Sequence, residues 1–188
     1  MKCINFDRAF ERYMADWMKE NSEKYKDDMD VIEDMMPDVY LEFLQKPADF
    51  LDGVAPQNYF EQFDDADMLV GWLCDYIAQG VPVPDLLLER ITSLGESAEK
   101  SLLALLDRTD LPEETEMTVV SLLREMESQA PMQRYIDFIA SLEEPSDKGD
   151  LCAEALLSMG EAVVAPVLAA LSGAGQAGRD IFADILSN

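Results

Sequence analysis

Histidine is absent from this sequence. That removes at once the commonest general base and the commonest transition-metal ligand. Ser-His and Cys-His nucleophiles are excluded with it. Cysteine is scarce: Cys3, Cys74 and Cys152 lie far apart, are odd in number and form no Cys-x-x-Cys pair. Neither a disulfide framework nor a zinc site is implied. Single cysteines on apolar helix faces pack as small core residues, and the pattern reads as a reduced, cytoplasmic chain. No apolar run reaches the ~18 residues of a membrane span. The opening Met1-Lys2-Cys3-Ile4-Asn5-Phe6-Asp7 lacks the apolar stretch of a secretory signal. There is no Gly-x-Ser-x-Gly elbow, no phosphate-binding glycine loop and no His-Glu-x-x-His helix. No catalytic residue, metal or cofactor is implied, and the chain reads as non-enzymatic.

Positive charge is the other shortage. There are 14 Lys and Arg against 39 Asp and Glu, a net charge of −25. The excess is even: residues 1–80 carry 7 basic and 19 acidic side chains, and residues 81–188 carry 7 and 20. Such a field repels phosphate backbones and anionic headgroups, so neither nucleic acid nor membrane is expected as a partner. The acidity serves solubility, or it steers a basic partner.

What the sequence does contain is helical periodicity throughout; no segment shows the strict alternation of a half-buried strand. Asn5 can cap a first helix whose Phe6, Phe10, Tyr13, Met14 and Trp17 form one stripe. Ile32, Met35, Met36, Val39, Tyr40, Phe43 and Leu44 continue the period, with a kink or restart expected at Pro37. Short turns follow at Pro47 and Pro56. Asp64 or Asp65 then caps a helix carrying Met68, Leu69, Trp72, Leu73, Tyr76 and Ile77, which Gly80 ends. Val81-Pro82-Val83-Pro84 is an extended connector. It separates an N-terminal α-helical region, 1–80, from a regular region, 81–188, the two read as parts of one continuous structure. Helices are predicted there at about 84–94, 98–108, 113–127, 131–143, 148–159, 163–172 and 176–187. Short links imply antiparallel hairpins.

The regular region repeats. Glu89-Arg90-Ile91-Thr92-Ser93-Leu94-Gly95-Glu96 aligns with Glu154-Ala155-Leu156-Leu157-Ser158-Met159-Gly160-Glu161, and Leu103, Ala104 and Leu106 then match Leu168, Ala169 and Leu171. Each copy is a helix ending at a glycine, an acid at the start of the next helix, and a leucine-rich second helix. One further hairpin fits between the copies, giving about three. The segment Cys152–Leu171, with Gly160, Pro166 and Leu168 in place, resembles the HEAT-like repeats of the phycobilisome-lyase type. Ser101 departs from the pattern where Pro166 keeps it, and the middle unit lacks the glycine. The resemblance covers about 100 residues. It implies an all-α fold: an α-solenoid of about three hairpins with an N-terminal helical cap region. Gly95, Gly160 and Pro166 are its structural signature.

Stacked hairpins offer an extended surface for a protein partner, here a basic one. Helices around 98–108, 131–143 and 163–172 would form it. The densest acidic run, Asp27, Asp28, Asp30, Glu33 and Asp34, reads as a solvated helix face or as a docking patch for Lys and Arg. Met29, Met35 and Met36 fill core gaps or make an adaptable surface. Asp64-Asp65-Ala66-Asp67 resembles half a calcium loop but lacks its glycine and bidentate glutamate, and helix capping explains it as well. Two other functions compete. One is an enzyme or chromophore- or small-ligand-handling protein, as some of the resembling family are, with Trp17, Tyr40, Tyr59, Trp72 and Tyr76 as pocket walls. The other is an acidic mimic of nucleic acid.

Overall fold

Two helices of the first unit start at a side chain that caps them. A computed structural model describes residues 3–21 and 29–187. The Asn5 side chain accepts the Arg8 amide at 2.8 Å and opens α1, Phe6–Asn21. After α2, Met29–Gln45, the Asp65 carboxylate accepts the Met68 amide at 3.0 Å and opens α3, Ala66–Ala78. Both satisfy amides that have no partner inside the helix. Among the described residues the fold is all-α; the one antiparallel bridge, Ala48 with Val54, merely closes a turn. No helix among them is long and apolar enough to cross a membrane. Contacts divide the chain into two compact units, Met1–Ser93 and Leu94–Asn188.

The first unit is organised by rings. Phe6, buried, lies 5.7 Å from Phe60 and 6.1 Å from Tyr59. One turn on, Phe10 meets Tyr40 at 4.9 Å and Phe43 at 5.4 Å, and Tyr13 meets Phe43 at 5.5 Å. The α1 stripe therefore packs on α2 and on the turns Asp49–Leu51, Pro56–Asn58 and Phe60–Gln62. Pro37 lies inside α2, which runs through it as one helix with no restart. At the end of α3 the amides of Gly80 and Val81 donate to Ile77 and Tyr76 at 3.0 and 3.1 Å, with Gly80 at φ +61°. After the connector, α4, Asp85–Ser93, is tied back by Arg90. Its Nε donates to the Phe63 carbonyl at 3.0 Å and its guanidinium pairs with Asp64.

The second unit comprises α5, Glu96–Leu106; α6, Glu113–Glu125; α7, Met132–Ala140; α8, Asp147–Ser158; a turn at Gly160–Val163; α9, Val164–Leu171; and α10, Gln176–Ser187. α6 packs on α5 and α8, α8 on α7 and α10, and α9 on α7 and α10. Val120, Tyr135, Ile136, Ile139, Cys152, Leu156, Val167 and Phe182 make its core. Two ion pairs, Lys148–Glu116 and Arg124–Glu154, join α8 to α6. The ends of α7 and α10 meet through backbone: the amides of Gly175 and Gly178 donate to the carbonyls of Ala140 and Leu142 at 2.9 and 3.2 Å. Orphan donors of one helix thus satisfy orphan acceptors of another.

Three turns begin with a residue of positive φ: Gly95 at +56°, Glu127 at +55° and Gly160 at +66°. Glu127 stands thirty-two residues after Gly95 and thirty-three before Gly160. In the hairpin that lacks the glycine, a glutamate takes the left-handed position. Its amide donates to Arg124 at 2.9 Å, and the Ser128 amide donates to Leu123 at 2.9 Å. The two glycine-marked copies are distributed unequally, since Glu89–Leu106 spans both units while Glu154–Leu171 lies within the second.

Candidate functional site

The acidic run falls on the start of α2. Asp27 and Asp28 lie outside the described residues. Asp30, Glu33 and Asp34 are exposed at spacings of three and four, hence on one face. The same face carries exposed Asp38 beyond Pro37, and Leu41, 52% exposed, lies near its end. Met35 and Met36 are half-buried. The other acidic motif is used locally: Asp65 caps α3, Asp67 lies in its first turn and Asp64 pairs with Arg90. Among the described residues no group of three or more Asp, Glu or Cys side chains is placed to hold a metal ion.

Of the signature residues, Gly95 and Gly160 start turns at positive φ, and Pro166 lies in the first turn of α9, where its missing amide breaks no helical bond. The helix that follows is unusual for this chain. α9 has no charged residue, yet Val164 and Leu168, one turn apart, are 41% and 55% exposed. Leu157, near the end of α8, is 40% exposed. In contrast, the exposed positions of α7 are Gln133, Arg134 and Asp137, and those of α5 include Glu96, Ser97, Lys100 and Ala104.

Four of the five aromatics offered as pocket walls are engaged in packing or hydrogen bonding. Tyr76 is fully buried. Its hydroxyl donates to the Ile4 carbonyl at 2.9 Å and accepts the Ile4 amide at 3.2 Å. Burial, set against the hydrogen bond to Ile4, raises its pKa to about 12. Tyr59 and Trp72 join one ring cluster through Phe63, at 5.8 and 4.7 Å. Tyr40 packs edge-on to Phe10.

One cavity of the first unit, about 780 Å³, is lined by Cys3, Ile4, Arg8, Arg12, Tyr13, Phe43, Lys46 and Phe50, among others, and a second, of about 440 Å³, has Tyr40 in its wall with Phe10 and Phe43. Sequence periodicity marks Phe43 and Tyr13 as apolar face and puts Arg8 and Arg12 on the other side of the first helix; the cavity wall holds all four, with Lys46. Lys46 lies 5.2 Å from the centre of the Tyr13 ring. Burial, and then a hydrogen bond to Glu42, pushes the Tyr13 phenol up to about 12, so it is neutral at physiological pH.

The second unit encloses a smaller space of about 170 Å³ against Tyr135, Lys148, Glu116 and Cys152. Lys148 also lies 4.2 Å above the Phe138 ring. Burial pushes the Cys152 thiol up to about 12, which leaves it unreactive as a nucleophile. Burial raises the Cys3 thiol as well, with Asp75 adding to it. No protein-family model matches the chain, and neither the curated proteins nor the solved structures give a match.

Proposed function

We propose that this chain is a non-enzymatic protein-interaction module of the HEAT-like repeat type that docks a basic partner on an exposed apolar helix face. The observation that carries the reading is α9: a charge-free helix exposing Val164 and Leu168 in a chain of net charge −25. Exposed apolar side chains on one face, rimmed by polar groups, are what a partner's apolar anchors need.

Two features support a short solenoid in the second unit. Helices pair with their next-but-one neighbours, α6 with α8, α8 with α10 and α7 with α9, as in a two-layered stack. The positive-φ residues Gly95, Glu127 and Gly160 recur at near-constant spacing, as one per hairpin.

The chemistry of the partner follows from charge. Among the described residues of the second unit, Arg108, Arg124, Arg134 and Lys148 are already paired with carboxylates. The field left over is acidic, and the ridge Asp30, Glu33, Asp34 and Asp38 adds to it from the first unit. A second copy of the chain would bring a like charge of −25 and be repelled. A Lys- or Arg-rich helix with an apolar face satisfies both requirements, steered by charge and held by Val164 and Leu168.

The test is affinity capture with the full chain at low and high salt, beside the Leu168→Asp variant. Partners recovered at low salt, diminished at high salt and lost to the variant fit the reading. Equal recovery by the variant, or recovery indifferent to salt, sinks it.

A further inference from the structure

We infer that the open cavity of the first unit binds a small amphipathic anion. Its phosphate or carboxylate head is held by Arg8, Arg12 and Lys46, and its apolar body lies against Tyr13, Phe43 and Phe50.

The argument begins with where cations find partners. The chain has nearly three acids for every base, and carboxylates take up Lys19, Arg90, Arg108, Arg124, Arg134 and Lys148. In the described part of this unit Lys19 pairs with Asp16 at 2.8 Å, and Arg90 pairs with Asp64. Arg8, Arg12 and Lys46 form no ion pair among the described residues, and all three line the same cavity. Arg8 and Arg12 are one turn apart on α1 and so project from one face. Their planar donor forks match the oxygens of a phosphate or carboxylate, which Lys46 meets as a point charge. Two acids share the lining. Asp16 is engaged by Lys19, and Asp49 lies at the start of a short turn.

The rest of the wall is apolar. Phe43 is buried, while Phe50 is 45% exposed and has an open face to offer. At about 780 Å³ the space falls within the range of organic ligands and far exceeds what a bare inorganic anion fills. A head-and-body ligand uses both halves of the lining; an acidic peptide would instead meet the field of the surrounding carboxylates.

The experiment is calorimetric titration of the full chain with 1-naphthyl phosphate and with decanoate, against inorganic phosphate and 1-naphthol as partial probes. Saturable one-to-one binding of either amphiphile is expected, and the stronger of the two assigns the head group. Arg12→Ala and Lys46→Ala should each weaken it about tenfold or more, as loss of a charge-assisted hydrogen bond does. Phe50→Ala should weaken it a few-fold, and Arg179→Ala on α10 should leave it unchanged. The proposal is overturned if neither amphiphile binds, if inorganic phosphate or 1-naphthol binds as tightly as they do, or if the Arg12 and Lys46 variants bind like the parent.

Discussion

The two units solve the same packing problem with different materials. The N-terminal unit sets a cluster of packed rings among its aliphatic core residues. Its Gly71, in the middle of α3, has nothing within 4 Å of where a Cβ would be. The C-terminal unit has a core in which aliphatic residues surround Tyr135 and Phe182, and it brings backbone against backbone. At Gly149 a Cβ would lie 2.6 Å from Leu142 Cδ1, and at Gly178 it would press on the Ile139 carbonyl oxygen, with the carbonyl carbon at 3.2 Å. Rings tolerate gaps at their edges, and the open cavity lies in the unit that clusters them. Close backbone approach leaves little such room. Both units hold ion pairs, Lys19–Asp16 and Arg90–Asp64 in the first and Lys148–Glu116 and Arg124–Glu154 in the second, and the cavity gathers Arg8, Arg12 and Lys46, which form none among the described residues.

The comparison is sharpest where one substitution has opposite signs in the two units. Gly178→Ala should lower stability by about 3 kcal/mol, because the carbonyl it meets belongs to a helix end and cannot rotate away. Gly71→Ala should raise it by about 0.5–1 kcal/mol, since an open mid-helix glycine only adds chain entropy to the unfolded state. Thermal denaturation of both variants checks this. A tolerated Gly178→Ala would mean that α7 and α10 do not approach as closely as the structure has them.

In the first unit the comparable fastening is a side chain. Tyr76→Phe leaves both the amide and the carbonyl of Ile4 without their partner. A loss of about 2 kcal/mol is expected, with faster hydrogen exchange at Ile4. Alkali tests the same contact. Below the ordinary tyrosine pKa of ~10 both states hold the proton and stability is full. Between pH 10 and about 12 the unfolded chain loses the Tyr76 proton first and binds fewer protons than the fold, so stability falls as pH rises. Tyr76→Phe should make that decline shallower, leaving the part due to other buried phenols such as Tyr135.

Tyr135→Phe probes the opposite unit for the opposite effect. The Tyr135 hydroxyl is buried with no protein hydrogen-bond partner. Removing it should be neutral or stabilising by about 1 kcal/mol. A clear loss in a melting experiment would instead mean that a group bound in the adjoining space of about 170 Å³ holds the hydroxyl.

What could be read from the sequence was local. The Asn5 cap, the α1 stripe and the ends of α3 depend on residues three or four apart, and the helical periods report them directly. Gly160 was legible for the same reason, as a glycine at the end of an amphipathic run. The cavity was not legible, because Arg8 and Arg12 come from α1 and Lys46 follows α2; only tertiary packing brings them together. Asp38 was missed because a restart at Pro37 would have turned it off the face of Asp30 and Asp34, whereas α2 runs through. No local pattern marks Gly175 and Gly178, because their use depends on the approach of α7.

The turn between α6 and α7 gives the finest test, since it shares the positive φ of the turns at Gly95 and Gly160 without a glycine. Glu127 holds φ +55° where the flanking turns have glycine. A left-handed residue with a Cβ is strained by roughly 1–2 kcal/mol, and glycine removes that strain while adding back about 0.5–1 kcal/mol of unfolded-state entropy. Glu127→Gly should therefore stabilise the chain by roughly 0.5 kcal/mol, visible as a small rise in the melting midpoint of the second unit. Glu127→Val, β-branched and hostile to positive φ, should lower it by more than glycine raises it. If both variants melt with the parent, the turn does not use this conformation.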